Sequence, residues 1–308
     1  MKAILDMDPG HDDALALLLA LAHPELEILA VTCCAGNASL ERTSINARVV
    51  LDVAGRADVP VAAGLPKPLF RELQTAPEVH GQSGLDGPEL PKPSFDLVAE
   101  HAVDLIRRTL AESDEKVVLI PTGPLTNIAA ALLLSPVTAE RIERIVLMGG
   151  SVAEGNVTPS AEFNIWVDPE AARIVFESGV PITMVGLDVT HKALIYREDV
   201  ERIRDMGSKV GMFVVELLEF FGRHHKEQYD WDGSPLHDAC AVAEVLQPGI
   251  VATRPMHVSI ETESELTRGR TVCDVWGVAG LPTNVEVGVD IDRDRFVEML
   301  MAAIATYS

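Results

Sequence analysis

Basic residues are scarce in this chain. Its 25 Lys and Arg stand against 47 Asp and Glu, giving a formal net charge of -22 over 308 residues. An excess of that sign repels phosphate backbones and anionic lipid surfaces, so nucleic acid and membrane are excluded as expected partners. Cysteine is also rare. Cys33, Cys34, Cys240 and Cys273 show no Cys-x-x-Cys spacing, which argues against a zinc site, and their apolar neighbours suit buried free thiols. No long hydrophobic run occurs: residues 14–22 are strongly apolar but stop at His23-Pro24, far short of the ~20 residues a membrane helix needs. The N-terminus has no apolar core followed by a small-residue cleavage site, so a soluble, cytoplasmic protein is expected. Internal repeats and low-complexity tracts are missing too.

What is present is enough apolar residue, 47% of the chain, for a large core. Short β-branched runs alternate with helical stretches. Strands are expected over 3–5, 28–32, 59–62, 117–120, 145–148 and 182–185, and helices over 13–22, 40–53, 97–110, 127–134, 169–177, 210–226 and 236–246. The tail adds strand-like pieces over 256–261, 271–275 and 285–289 and a closing helix over 293–306. This alternation predicts an α/β fold: a Rossmann-like, mostly parallel sheet with helices on both faces. No Ser- or Gly-rich linker divides it, so residues 1–308 are read as a single domain. Two long loops, about 64–94 and 149–168, interrupt the pattern. In such folds ligands sit beyond the carboxyl ends of the strands. Polar clusters follow four strands here: 6–13, Gly36-Asn37, Pro121-Thr122-Gly123-Pro124 and 149–164. The active site is expected on that rim.

The sharpest feature is Asp6-Met7-Asp8-Pro9-Gly10-His11-Asp12-Asp13, four carboxylates packed between a strand and a helix. One Asp could cap the helix and Asp-Pro-Gly could simply turn. Neither explains four acids together. Like charges crowded there need a partner, and oxygen ligands suit a hard cation such as Ca²⁺ or Mg²⁺.

That segment resembles the N-terminal signature of the inosine–uridine-type nucleoside hydrolases. Ala35-Gly36-Asn37, His80-Gly81-Gln82-Ser83-Gly84, Pro121 to Asn127, Met148-Gly149-Gly150, Ala161-Glu162-Phe163-Asn164, Gly186 to His191 and His237-Asp238 follow in the family's order. Gly84-Leu85-Asp86-Gly87-Pro88 and Thr190-His191-Lys192-Ala193 look most like the bacterial pyrimidine-specific ribonucleoside hydrolases. The resemblance implies hydrolysis of the N-glycosidic bond of a ribonucleoside, with a pyrimidine nucleoside, uridine or cytidine, the expected substrate, by a homotetramer or dimer. It implies Ca²⁺ held by Asp8, Asp13, Asp238 and the Thr122 carbonyl, with Asp8 also the base for the attacking water. Asp12, Asn37, Asn156, Glu162 and Asn164 would grip the ribose. Glu162 and Asn164, alternating around Phe163, could point the same way. His237 is the candidate acid for the departing base, with Tyr229 sharing that task, and His80, His225 and Trp231 would line the base pocket. Gln82, where relatives often carry Glu, lies near the expected base-selecting region.

Two rival readings use the same rim. A dehalogenase-like phosphatase also opens on a strand and Asp-x-Asp, but Pro9-Gly10 stands where its Thr-bearing turn belongs. A non-catalytic nucleoside binder would need neither Asp8 nor His237.

Overall fold

The computed structural model describes residues 1–135 and 137–307. Among the described residues there are twelve strands: β1 Lys2–Met7, β2 Glu27–Cys33, β3 Val61–Ala63, β4 Val117–Pro121, β5 Ile142–Met148, β6 Ile182–Val185, β7 Leu194–Tyr196, β8 Gly233–Pro235, β9 Val251–Met256, β10 Val258–Ile260, β11 Thr271–Cys273 and β12 Val285–Ile291. Eight form one sheet in the order β3-β2-β1-β4-β5-β6-β12-β9. Every pair is parallel except β12 with β9. The expected architecture is therefore observed.

Period-two alternation explains how both faces are covered. Ala3 and Leu5 of β1, with Val118 and Ile120 of β4, point into one apolar layer. Ile4, Val117 and Leu119 point into the other. Helices His11–Leu21, Leu40–Val53, Lys209–Tyr229, His237–Leu246 and Arg293–Ala305 cover the first face; Ala102–Glu112, Thr126–Leu134 and Pro169–Phe176 cover the second. Each Leu or Ile side chain sealed this way contributes roughly 1.5–3 kcal/mol. The apolar run 14–22 is buried throughout its helical part because its helix is enclosed by helices His237–Leu246, Leu40–Val53, Arg293–Ala305 and Lys209–Tyr229. Among the described residues, no helix is long and apolar enough to cross a membrane.

Several boundaries differ from the sequence reading. The helix expected over 97–110 starts at Ala102, because His101 caps it, its Nδ1 accepting the Val103 N–H at 3.3 Å. The tail strand over 256–261 is really the end of β9 plus β10. β9 was concealed by exposed polar residues and by Pro255, which only an edge strand tolerates. The two long loops contain short helices, Pro77–His80 and Phe163–Val167. Helix Lys209–Tyr229 runs three residues past the expected end, so Tyr229 lies in its last turn rather than in a loop; Asp230 closes it in a left-handed conformation at φ 55°.

Candidate active site

The strand order reverses between β1 and β4: β2 lies outside β1, and β5 outside β4. Such a switch point opens a crevice above the sheet. Asp8 leaves β1 on one side of it and Thr122 leaves β4 on the other. The Thr122 amide donates to the Asp6 carbonyl at 2.9 Å, which stitches the two strand ends together.

Gly10 starts helix His11–Leu21, and its N–H donates to Asp13 Oδ2 at 3.0 Å. Asp12 and Asp13 thus occupy that helix's first turn. Asp238 occupies the first turn of helix His237–Leu246, which packs against it. Two helix N-termini therefore aim partial positive charge at these acids, an aid but not a counter-charge. Asp12, Asp13 and Asp238 offer carboxylate oxygens within 4.8 Å of one another, all buried. Asp8 stands beside them. Its Oδ2 accepts the Asn37 backbone N–H at 2.6 Å, and its Oδ1 is buried with no partner. A methyl group at Gly36 or Gly123 would collide with the Asp8 carboxylate, so both loops must carry glycine there.

Burial, then the charge of Asp13, raises the Asp8 carboxyl well above its ordinary value. Burial, then Asp12, does the same for Asp238. Burial and Asp13 push Asp12 up to about 7. Four acids in this setting do not all ionise without a cation. The donor set is all oxygen, one oxygen is orphaned and glycines cradle it. These residues fit a hard divalent ion. Thr122 takes part twice: its hydroxyl donates to Asp13 Oδ1 at 2.6 Å, and its carbonyl accepts from Asn164 Nδ2 at 2.7 Å, leaving one carbonyl lone pair free. The structure adds one carboxylate to the expected ligand set. Asp12, read as a ribose contact, joins Asp13 and Asp238 more closely than Asp8 does.

Above the acids lies a cavity of about 280 Å³. Asp12, Asn37, His80, Asn156, Glu162, Asn164, His225, Tyr229, Trp231, His237 and Asp238 all line it, so the site residues read from sequence converge, while Asp8 and Asp13 lie beneath. No Lys or Arg is among the lining residues.

The ribose-side residues are tied down differently from the sequence picture. Glu162 and Asn164 do not alternate on a strand. Glu162 caps helix Phe163–Val167, accepting N–H groups from Gly150 at 2.9 Å, Asn164 at 2.9 Å and Ile165 at 3.2 Å. Burial nevertheless pushes its carboxyl up to about 7. Asn37 Nδ2 donates to the Asp8 carbonyl at 3.3 Å and to Asp13 Oδ2 at 3.2 Å, so this amide braces the acidic turn as well as facing the cavity. Asn156 Oδ1 accepts the Phe163 N–H at 3.0 Å, and the residue sits exposed at the mouth.

The opposite wall is aromatic. His224, His225, Gln228 and Tyr229 present one face of a helix to the cavity, by the three-to-four spacing. Tyr229 and Trp231 stack with centroids 4.9 Å apart. His237 Nδ1 lies 2.7 Å from the buried Thr190 hydroxyl. Enclosure, then His191 and His225, holds the His237 ring well below its ordinary pKa, hence neutral. Sequence reasoning left His11, His191 and His224 unassigned. His191 and His224 line the cavity, and His191 meets Trp231 edge-on at 4.9 Å. The position of His191 just after the β6 end was the available signal. His80 is packed by His11, with ring centroids 5.4 Å apart.

The sequence matches, over residues 3–298, a family model described as inosine-uridine preferring nucleoside hydrolase. A pyrimidine-specific ribonucleoside hydrolase RihA of Shewanella sp. (strain MR-4) is 54% identical over 306 residues, covering 99% of this chain and 96% of that protein. One from Salmonella typhi is 51% identical over 309 residues, covering 100% and 99%. Among solved structures, a purine-preferring ribonucleoside hydrolase from Gardnerella vaginalis superposes with a TM-score of 0.94 at 36% identity, covering 100% of this chain and 99% of that one.

Proposed function

The chain belongs to the inosine-uridine preferring nucleoside hydrolase family and is an N-glycosyl hydrolase of ribonucleosides, and from that premise we propose that it cleaves pyrimidine ribonucleosides, uridine and cytidine, with Ca²⁺ at its acidic floor. The observation that carries this reading is one cavity with buried carboxylates below and a His–aromatic wall above. The pyrimidine choice is supported by relatives named for it at about half identity.

Asp8, Asp12, Asp13, Asp238 and the Thr122 carbonyl would hold the ion. When bound, it supplies a template for a ribose diol and acidifies a coordinated water. The side chains do the rest. Asp8 takes the proton of the attacking water through its free Oδ1, while the Asn37 amide fixes Oδ2. Asn37, Asn164, Glu162 and Asn156 surround the sugar, and Asp12 accepts from a hydroxyl. Positive charge growing on the ribose in an oxocarbenium-like transition state is favoured by this acidic floor. Negative charge grows on the base. A Thr190 hydroxyl donating to His237 Nδ1 leaves the proton on Nε2, from which the neutral ring donates to the departing base. Tyr229 and Trp231 flank that base. With no Lys or Arg in the lining and the His225 and His237 rings held neutral, a 5′-phosphate finds no fixed cation, so the substrates are unphosphorylated nucleosides.

The eight-stranded sheet, whose strands run from Lys2 to Ile291, supports one domain, and the exposed Leu266, Trp276, Val278 and Leu281 support a self-associating dimer or tetramer. The test is a panel of uridine, cytidine, inosine, adenosine and UMP with purified protein and Ca²⁺, read as free ribose. Uridine and cytidine should be the best substrates and UMP inert. Faster inosine cleavage would overturn the pyrimidine assignment.

A further inference from the structure

His225 follows Phe221 by one turn of helix Lys209–Tyr229, and its Nδ1 lies 3.0 Å from the Phe221 carbonyl oxygen. A carbonyl only accepts, so Nδ1 carries the hydrogen. A neutral imidazole has a single N–H, so Nε2, on the opposite edge of the ring, is a bare lone pair. That nitrogen has no partner among the described residues, although the side chain is only 5% exposed and lines the cavity. The ring cannot turn over freely to exchange the two edges. Phe221 meets it edge-on at 4.5 Å, and Trp231 lies nearly parallel to it, 11° off with centroids 6.1 Å apart. Burial and the neighbouring His224, His191 and His11 oppose a second proton, pushing the ring down to about 4.

We infer that His225 is an acceptor-only reader of the nucleobase, its Nε2 taking a hydrogen bond from a base N–H such as the imide of uracil or the amino group of cytosine. This rests on the ribonucleoside hydrolase reading and assigns His225 to specificity. It separates His225 from His237: one ring is wired to accept, the other to donate. A buried acceptor left unpaired by a base without N–H carries its full desolvation cost, which is how such sites discriminate.

The experiment compares uridine with 3-methyluridine, which lacks the imide N–H, in the Ca²⁺-loaded wild type, His225→Phe and His225→Gln. The Phe variant keeps a flat ring against Trp231 without an acceptor; Gln restores a carbonyl acceptor. In the wild type, kcat/KM should favour uridine by at least about tenfold, mainly through KM. The preference should collapse in His225→Phe and survive in His225→Gln. Equal discrimination in wild type and His225→Phe would overturn the inference, since size alone would then explain it. Nitrogen-15 NMR of the wild type supplies a check that needs no variant. The His225 ring should show the Nδ1–H tautomer near neutral pH; an Nε2–H or doubly protonated ring would overturn the assignment. A wild type that cleaves neither uridine nor p-nitrophenyl riboside would instead refute the hydrolase reading.

Discussion

The Asn37 backbone amide donates to Asp8 Oδ2 at 2.6 Å, while Asp8 Oδ1, equally buried, has no partner. One oxygen is thus locked by the β2 end and the other is left for chemistry. Replacing Asp8 by Asn keeps the shape and an acceptor for Asn37 but removes the charge and the basic oxygen. Turnover of uridine should fall by about 10³-fold or more, with circular dichroism and Tm showing a folded protein. Removing a buried like charge should leave Tm unchanged or higher. Near-normal turnover would end the assignment of Asp8 as base.

Gly36 offers a test that touches no polar group. A Cβ there overlaps the Asp8 carboxylate, so Gly36→Ala must push that group off the Asn37 amide. Catalytic geometry tolerates little displacement, and an ångström-scale shift costs on the order of 10²-fold. The expected outcome is that loss in kcat with KM for uridine changed far less. A fully active Gly36→Ala enzyme would show that the position of Asp8 is not critical.

These two loops show how far the sequence could be read. The Asp6–Asp13 segment, Gly36-Asn37 and Thr122 each follow a parallel strand, and parallel strands put their ends on one rim, so convergence followed from topology. Rotamers did not. Whether Asp8 or Asp12 approaches Asp238 depends on side-chain angles at a helix start, which no spacing rule encodes. Glu162 lines the cavity as the sequence suggested, but its second role, capping a helix, is invisible until Phe163–Val167 is seen to be helical. Tyr229 was placed in a loop because the last turn of its helix, Lys226 to Tyr229, is polar and exposed and carries no apolar periodicity.

The buried acids also predict how the protein responds to metal removal. Burial raises the carboxyl pKa of Asp8, Asp12, Asp13 and Asp238, and neighbouring acids raise Asp8, Asp12 and Asp238 further. A divalent ion relieves that repulsion in the folded state only, and an ion at 100 times its Kd stabilises by about 2.7 kcal/mol. Exhaustive dialysis against EGTA should abolish riboside cleavage and lower Tm by several degrees, both reversed by Ca²⁺. Undiminished cleavage by protein shown by elemental analysis to be metal-free would refute the metal site.

His237 is expected to matter in proportion to how badly the base leaves. Its ring is neutral at rest, and Thr190 orients it from 2.7 Å. For His237→Ala, uridine cleavage should fall by about 10²-fold or more, the usual range for a proton donor. Cleavage of p-nitrophenyl riboside, whose leaving group needs no proton, should fall much less. Equal losses on the two substrates would assign the donor role elsewhere, with Tyr229 the next residue to replace.

His225 should leave a signature in the pH dependence of stability. Its folded pKa is pushed down to about 4 from an ordinary 6.5, by burial first and then by neighbouring histidines. His224, His237, Tyr229 and Trp231 pack around the ring, and none is an acid that would restore its charge. Between those two values the unfolded chain binds a proton that the folded ring refuses, so stability rises with pH there. The contribution is complete above pH 6.5 and is lost as pH falls to about 4. Glu162 and Asp6, both pushed up to about 7 by burial, act in the opposite direction over an overlapping window, so the wild-type curve alone is uninformative. The difference between wild type and His225→Phe isolates the one ring. Urea unfolding should show the wild type losing about 3 kcal/mol relative to the variant between neutral pH and pH 4. A difference that stays flat across that window would mean that His225 titrates in the fold as it does in water, and that its Nε2 is open to solvent rather than held in a dry base pocket.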